Sequence, residues 1–217
     1  MKASNSDKII LDLCGGTGSW SKPYKEAGYD VRLVTLPDND VLTYDPPKNV
    51  YGILAAPPCT EFTPMKYGRD KKKRYQKYFE FDKFKHDPNT DILNRCLKII
   101  EQCNPVFYAI ENPTGMMRKF MGKPQLTFHP YQYGDGWTKK TDIWGKFNIP
   151  NPNYTWETCP KLDLYVRPNR KKPSIAFLHK SAKDLIPQFK DFEIETDAAL
   201  RAITPPAFAR AFYEANK

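Results

Sequence analysis

The sequence is poor in the residues from which metal centres and disulfide frameworks are built. Its three histidines (His86, His129, His179) are scattered, and its five cysteines (Cys14, Cys59, Cys96, Cys103, Cys159) are odd in number, with no Cys-x-x-Cys pair. Neither a metal site nor a disulfide scaffold is expected from such a set. No apolar run approaches the roughly 20 residues needed to cross a bilayer. The opening Met1-Lys2-Ala3-Ser4-Asn5-Ser6-Asp7-Lys8 is polar, unlike a secretory leader. Internal repeats are missing too. Global disorder is excluded, because 40% of residues are hydrophobic and 14% aromatic, enough to build a core. A reduced, soluble, intracellular protein is the expectation, with a cytoplasmic location.

The length of 217 residues suits one domain with a small appendage. Lys and Arg number 34 against 25 Asp and Glu, a formal charge of +9. Such a balance fits a polyanionic partner or a well-solvated surface, and charge alone does not separate them.

The first half alternates strands and helices. Strands are expected at about Lys8 to Cys14, Asp30 to Thr35, Val50 to Ala56 and Val106 to Glu111. Helices are expected from Trp20 to Ala27, with Gly28 as C-cap, and from Asn89 to Gln102, where Ile92, Leu93, Cys96, Leu97, Ile99 and Ile100 recur at helical spacing. This order argues for an α/β fold of Rossmann-like type, a parallel sheet with helices on both faces. Gln125 to Tyr133 and Thr141 to Trp144 read as an antiparallel hairpin at the edge, joined by Gly134-Asp135-Gly136. A terminal helix is expected over Thr204 to Asn216. Between them lies a proline-rich, basic stretch of no clear period. The expected division is a catalytic domain of residues 1–147 and 200–217, and a small recognition insert of 148–199.

Three strand ends carry chemistry. Ile9-Ile10-Leu11-Asp12-Leu13-Cys14-Gly15-Gly16-Thr17-Gly18 runs a strand into a glycine turn, which lets backbone approach a ligand closely. The turn lacks the third glycine of a dinucleotide fingerprint and the lysine of a phosphate loop. A nucleoside cofactor without a pyrophosphate suits it better, although tight packing alone explains many such turns. Ile53-Leu54-Ala55-Ala56-Pro57-Pro58-Cys59 ends a strand in two prolines and a thiol. Free cysteines are usually buried and inert, which is the reading for Cys14, Cys96 and Cys103. Cys59 differs because the prolines stiffen the turn that presents it, as a nucleophile requires. Val106 to Glu111 delivers a carboxylate, otherwise a salt-bridged or capping group. Open α/β sheets bind ligands along this edge.

These motifs, in this order, resemble the DNA cytosine-5 methyltransferases, in a compact form similar to those encoded by bacteriophages. Leu11 to Gly18 matches the family's cofactor motif, Pro57-Pro58-Cys59 its Pro-Cys motif, and Glu111-Asn112-Pro113 its Glu-Asn-Val motif. The resemblance covers about the first two thirds of the chain. It implies a class I methyltransferase fold and S-adenosyl-L-methionine as cofactor, held by Asp12, Cys14, Gly15, Gly16, Thr17, Gly18, Ser19 and Trp20. Asp40, near the adenine, and Pro57 would complete that pocket. Three departures stand out. Thr35, with Asp38 nearby, replaces the acidic residue expected for the ribose. Lys139, in Trp137-Thr138-Lys139-Lys140-Thr141, stands for the first arginine of a Gln-x-Arg-x-Arg motif. Thr204, in Ile203-Thr204-Pro205-Pro206, loosely stands for a Gly-Asn-Ser-Val segment.

The resemblance further implies a mechanism. Carbon 5 of cytosine is a weak nucleophile until a thiolate, here that of Cys59, adds to carbon 6. Glu111 would hold ring nitrogen 3 and the exocyclic amine, and Lys139 the ring carbonyl. The base must leave the duplex, so DNA with a flipped cytosine is the expected partner of a monomeric enzyme. No metal is needed. Lys66, Arg69, Lys71, Lys72, Lys73 and Arg74, interleaved with aromatics just after Cys59, fall where the family carries a loop that closes on DNA. Such a run is otherwise a solvated face. Arg167, Arg170, Lys171 and Lys172 form a second basic cluster, which reads equally as a grip on DNA or as a rigid proline-rich loop. The competing readings are the same chemistry on RNA or a free nucleotide, a catalytically silent DNA-binding module, and exocyclic-amine methylation. The last would need a polar residue and an aromatic around the prolines, which Ala56-Pro57-Pro58-Cys59 lacks.

Overall fold

A computed structural model describes residues 5–63 and 88–217. Its strands are β1 (Ile9–Leu13), β2 (Asp30–Val34), β3 (Val50–Ala55), β4 (Phe107–Pro113), β5 (Leu126–Phe128) and β6 (Thr141–Lys146). The helices are α1 (Lys22–Glu26), α2 (Asp91–Cys103), α3 (Met117–Met121), α4 (Asp197–Ala202) and α5 (Pro206–Ala215). The strands form one sheet in the order β2-β1-β3-β4-β6-β5. β1 pairs in parallel with β2 and β3, and β3 with β4; β6 runs antiparallel to both β4 and β5.

The central strands are apolar on both faces because both are covered. Alternation along β1 sends Leu11 and Leu13 to one side, where they pack with Ile53, Ile110 and the Cys96 and Ile99 face of α2. Ile10 goes to the other side, with Leu54, Ala109, Tyr24 of α1 and Phe208 and Phe212 of α5. Asn104 ends α2 in the left-handed region (φ 43°), and its amide returns to the Ile100 carbonyl. Pro206 opens α5, where a missing N–H costs nothing.

The edge pair differs from the expected hairpin in its connection. β5 stops at Phe128 because Pro130 starts a short 3-10 turn, Pro130–Gln132. The Gly134-Asp135-Gly136 segment therefore lies within a longer excursion. The insert, which shows no period in the sequence, is built from 3-10 turns (Ile175–Phe177, Lys180–Leu185, Pro187–Phe189). They pack Ile175, Leu178, Ile186 and Phe189 around Trp137, and α4 adds Leu200 to this small core. Among the described residues no helix is long and apolar enough to cross a membrane.

Candidate active site

Register brings the three chemical strand ends together: Leu13 of β1 is level with Ala55 of β3, and Ala55 with Ile110 of β4. The glycine turn, the Pro-Pro-Cys turn and Glu111 thus leave the same edge of the sheet.

β3 ends where it does because Pro57 and Pro58 have no N–H for the ladder. The Phe62 amide donates to the Cys59 carbonyl at 3.0 Å, closing the turn that carries the thiol. Two clamps fix the turn against β4. Asn112 donates from Nδ2 to the Pro57 carbonyl at 2.8 Å, and the Met116 amide donates to the Phe62 carbonyl, also at 2.8 Å. The second clamp needs Gly115, since a Cβ there would sit 2.5 Å from the Phe62 carbonyl oxygen. Cys59 is exposed, whereas Glu111 beside it is buried.

Lys139 arrives from the strand's other neighbour. Thr141 pairs with Pro113, and the Thr114 amide donates to the Lys140 carbonyl at 2.9 Å, so the lead into β6 is fixed alongside the acid. Lys139 Nζ stands 3.4 Å from Glu111 Oε1, an oxygen with no hydrogen bond among the described residues. The protein around the Cys59 thiol pushes its pKa up; the Lys139 charge pulls it down and the Glu111 charge raises it again. All three side chains therefore sense one another. On the same strand, buried Asp142 is held by Arg118 at 2.6 and 2.7 Å and by Thr127 at 2.6 Å. Burial would raise the Asp142 carboxyl, but these hydrogen bonds hold it below the usual range.

The glycine turn is left-handed at Cys14, Gly16 and Gly18 (φ 57°, 54° and 69°). Asp12 lies directly beneath: a Cβ on Gly15 would collide with its carboxylate. Ser21 donates to Asp12 Oδ2 at 2.5 Å, while Oδ1 is buried without a partner among the described residues. Burial raises the Asp12 carboxyl to about 6 despite the serine. No hydrogen bond among the described residues uses the amides of Gly15, Gly16 or Thr17. Ser19 donates to the Thr204 carbonyl at 2.6 Å, tying the turn to the segment before α5. Trp20 supports from below, its indole buried against Phe208 and Phe212 rather than facing the turn's open side. Thr35 is half-buried just past β2, and exposed Asp40 accepts from the Leu42 amide. Cys96 packs against Cys14; the hydrogen bond between the thiols and burial push it far above the ordinary thiol range, so it is inert.

Lys66, Arg69, Lys71, Lys72, Lys73 and Arg74 lie outside the described residues. Arg167, Arg170 and Lys171 are exposed and line a groove of about 460 Å³ together with Lys139 and Lys140. The sequence reading missed Asp135. Its buried carboxylate accepts from the Ala207 and Phe208 amides at 3.1 and 3.4 Å, capping α5 from the middle of the expected hairpin turn. Burial lifts Asp135 to about 7. The one sequence signal was an acid between two glycines, which reads equally as an ordinary turn.

No family model and no curated protein matches the sequence. Among solved structures, the chain is similar to a putative DNA modification methyltransferase encoded within an E. coli prophage, at 16% identity and a TM-score of 0.41, over 79% of this chain and 55% of that one. It is also similar to a DNMT2 mutant of Spodoptera frugiperda, at 18% identity and a TM-score of 0.38, over 76% and 57%. The chain spans a little over half the length of these structures. Its own sheet, parallel except for one reversed strand second from the edge, is a Rossmann-like fold.

Proposed function

We propose that this chain is an S-adenosyl-L-methionine-dependent cytosine-5 methyltransferase acting on DNA. The observation that carries the reading is the meeting of Cys59, Glu111 and Lys139 beside the glycine turn, with Lys139 at 3.4 Å from Glu111.

The turn fits the cofactor. Gly15 leaves no room for a side chain, three consecutive amides are free to donate, and Asp12 holds an unpartnered oxygen beneath them. Residues 14–19, with Thr35, Asp40, Pro57 and Thr204, would hold it. When bound, the cofactor supplies an electrophilic methyl group. The protein supplies the rest. A thiol with a raised pKa is protonated at rest, so Cys59 gives up its proton to solvent as its sulfur bonds to carbon 6. The electron pair released from the ring double bond moves to carbon 5, which becomes the nucleophile. Glu111 holds nitrogen 3 and the exocyclic amine, and Lys139 the ring carbonyl, which stabilises the ring as charge develops. Loss of the proton from carbon 5 restores the double bond and expels the Cys59 thiolate. Rigid presentation matters most here, and the Asn112 and Met116 clamps provide it.

The same chemistry on RNA is the second reading, favoured by the small insert beside the site. DNA containing 5-fluorocytosine tests the mechanism, because fluorine cannot leave carbon 5 as a cation and the Cys59 bond stays trapped. A stable adduct that Cys59→Ala abolishes is the expected result; an adduct that persists in Cys59→Ala overturns the mechanism.

A further inference from the structure

The groove beside Lys139 has the chemistry of a site of its own. One wall is the Thr138-Lys139-Lys140 lead into β6, the other the loop from Tyr165 to Phe177. The walls are held together by backbone. The Thr138 amide donates to the Pro173 carbonyl at 2.9 Å, and the Ile175 amide to the Thr138 carbonyl at 3.3 Å. The loop turns back through Asn169, in the left-handed region at φ 65°, which brings Arg170 to the wall.

Charge converges on this space. Lys139, Lys140, Arg167 and Arg170 line it, and no carboxylate of the described residues does. Of these four cations only Lys139 has an ion-pair partner among the described residues, Glu111. Lys140, Arg167, Arg170 and Lys171 form no ion pair among the described residues. Like charges gathered in a concave space repel one another until an anion enters. Two rings of the lining are unusually open: Tyr165 is 60% and Phe177 47% exposed, where large rings are normally covered. The Arg167 guanidinium lies 4.3 Å over the Phe177 ring, a stacked platform already assembled.

Phosphate-binding cations interleaved with exposed rings are the means by which proteins hold single strands, whereas reading bases in a duplex groove draws on amides and carboxylates as well. A cavity of about 460 Å³ admits a nucleotide-sized ligand but not a duplex. Lys139 belongs to both places: it pairs with Glu111 and lines the groove. We infer that this groove grips the unpaired nucleotides next to the base at Cys59, holding their phosphates on Lys140, Arg167 and Arg170 and a base on Tyr165 or Phe177, without reading sequence. The placement of that base rests on the cytosine-5 reading; the single-strand grip does not.

The test uses the whole chain and fluorescently labelled octamers that contain no cytosine. Oligo(dT), oligo(rU) and, in place of an octamer that would melt, a dA·dT duplex long enough to stay paired at every salt concentration used are titrated by anisotropy against wild type, Arg167→Ala/Arg170→Ala and Tyr165→Ala/Phe177→Ala. Unfolding midpoints equal to wild type show that the variants are folded. The charge variant should lose at least about tenfold in single-strand affinity, with a salt slope shallower by about 1.4 for two phosphates. The aromatic variant should lose about fivefold or more at an unchanged slope. Duplex binding should change much less in both. The ratio of oligo(dT) to oligo(rU) affinity names the sugar that the groove prefers. Unchanged single-strand binding in the two variants, or an equal loss on duplex, overturns the inference. Because the probes lack cytosine, failed methyl transfer leaves this result standing, and the reverse holds too.

Discussion

Asn112 and Pro57 are joined by a 2.8 Å hydrogen bond, from the side chain of one strand's end to the backbone of the next strand's turn. Through it the residue beside Glu111 sets where Cys59 stands. Asn112→Ala removes the clamp and leaves the fold's apolar contacts in place. The transfer rate should fall about a hundredfold, as for a displacement of about 1 Å at a reacting atom. Stability should drop by about 1–3 kcal/mol, and cofactor affinity by calorimetry should hardly change. A normal rate would show that the turn needs no such anchor.

The Cys59 thiol should respond to its two charged neighbours in opposite directions. Lys139 lowers its pKa and Glu111 raises it. Lys139→Ala therefore moves the inflection of the alkylation rate with pH upward, and Glu111→Gln moves it downward. Iodoacetamide modification of Cys59, followed by mass spectrometry, reads both. If neither variant moves the inflection, the three groups do not share a site.

Two adjacent glycines should tolerate alanine very differently. A Cβ on Gly15 meets the Asp12 carboxylate, whereas one on Gly16 meets open space and only the strain of φ 54°. Gly16→Ala should cost about 1–2 kcal/mol of stability. Gly15→Ala displaces the turn itself and should weaken binding of S-adenosyl-L-methionine by at least about tenfold, the larger calorimetric effect of the two. Equal losses in cofactor affinity would mean that Asp12 does not shape the turn.

Asp135 makes the fold lose stability as pH rises. Its carboxyl holds a proton up to about 7 in the folded chain, against 3.8 for an ordinary aspartate. Between those values the folded state binds the extra proton, so stability is greatest at the acid end and declines toward neutrality. Asp12, lifted to about 6, acts in the same direction. Asp135→Asn keeps an oxygen for the Ala207 and Phe208 amides but cannot ionise. Urea unfolding at pH 5 and 7.5 should show the variant gaining on wild type at the higher pH. An identical pH dependence in both proteins would refute the burial argument.

The parts of this molecule that were legible in its sequence are those written in local pattern. Strands β1, β3 and β4 are largely apolar runs that end near glycine or proline, β2 lies between Gly28 and Pro37, and α2 has its buried residues at helical spacing, so their ends fall within about two residues of the expected ones. Cys59 and Glu111 were legible because each ends such a run. Long-range pairing was not. Nothing around Thr141 tells that β6 inserts between β4 and β5, although that insertion is what sets Lys139 beside Glu111. Helix α4 escaped notice because six residues make too short a period, even though Thr196 caps it by accepting from the Ala199 amide at 3.0 Å. The groove draws Lys140 and Arg170 from separate segments, and only the fold makes them neighbours.

The central claim is that Cys59 directs a methyl group to carbon 5 of cytosine in DNA. The most direct measurement incubates the protein with tritiated S-adenosyl-L-methionine and unmethylated DNA of mixed sequence, then digests to nucleosides and identifies the labelled one. The account expects label in 5-methyldeoxycytidine, reduced by three or more orders of magnitude in Cys59→Ala. Label in any other nucleoside, or undiminished label in Cys59→Ala, would contradict it.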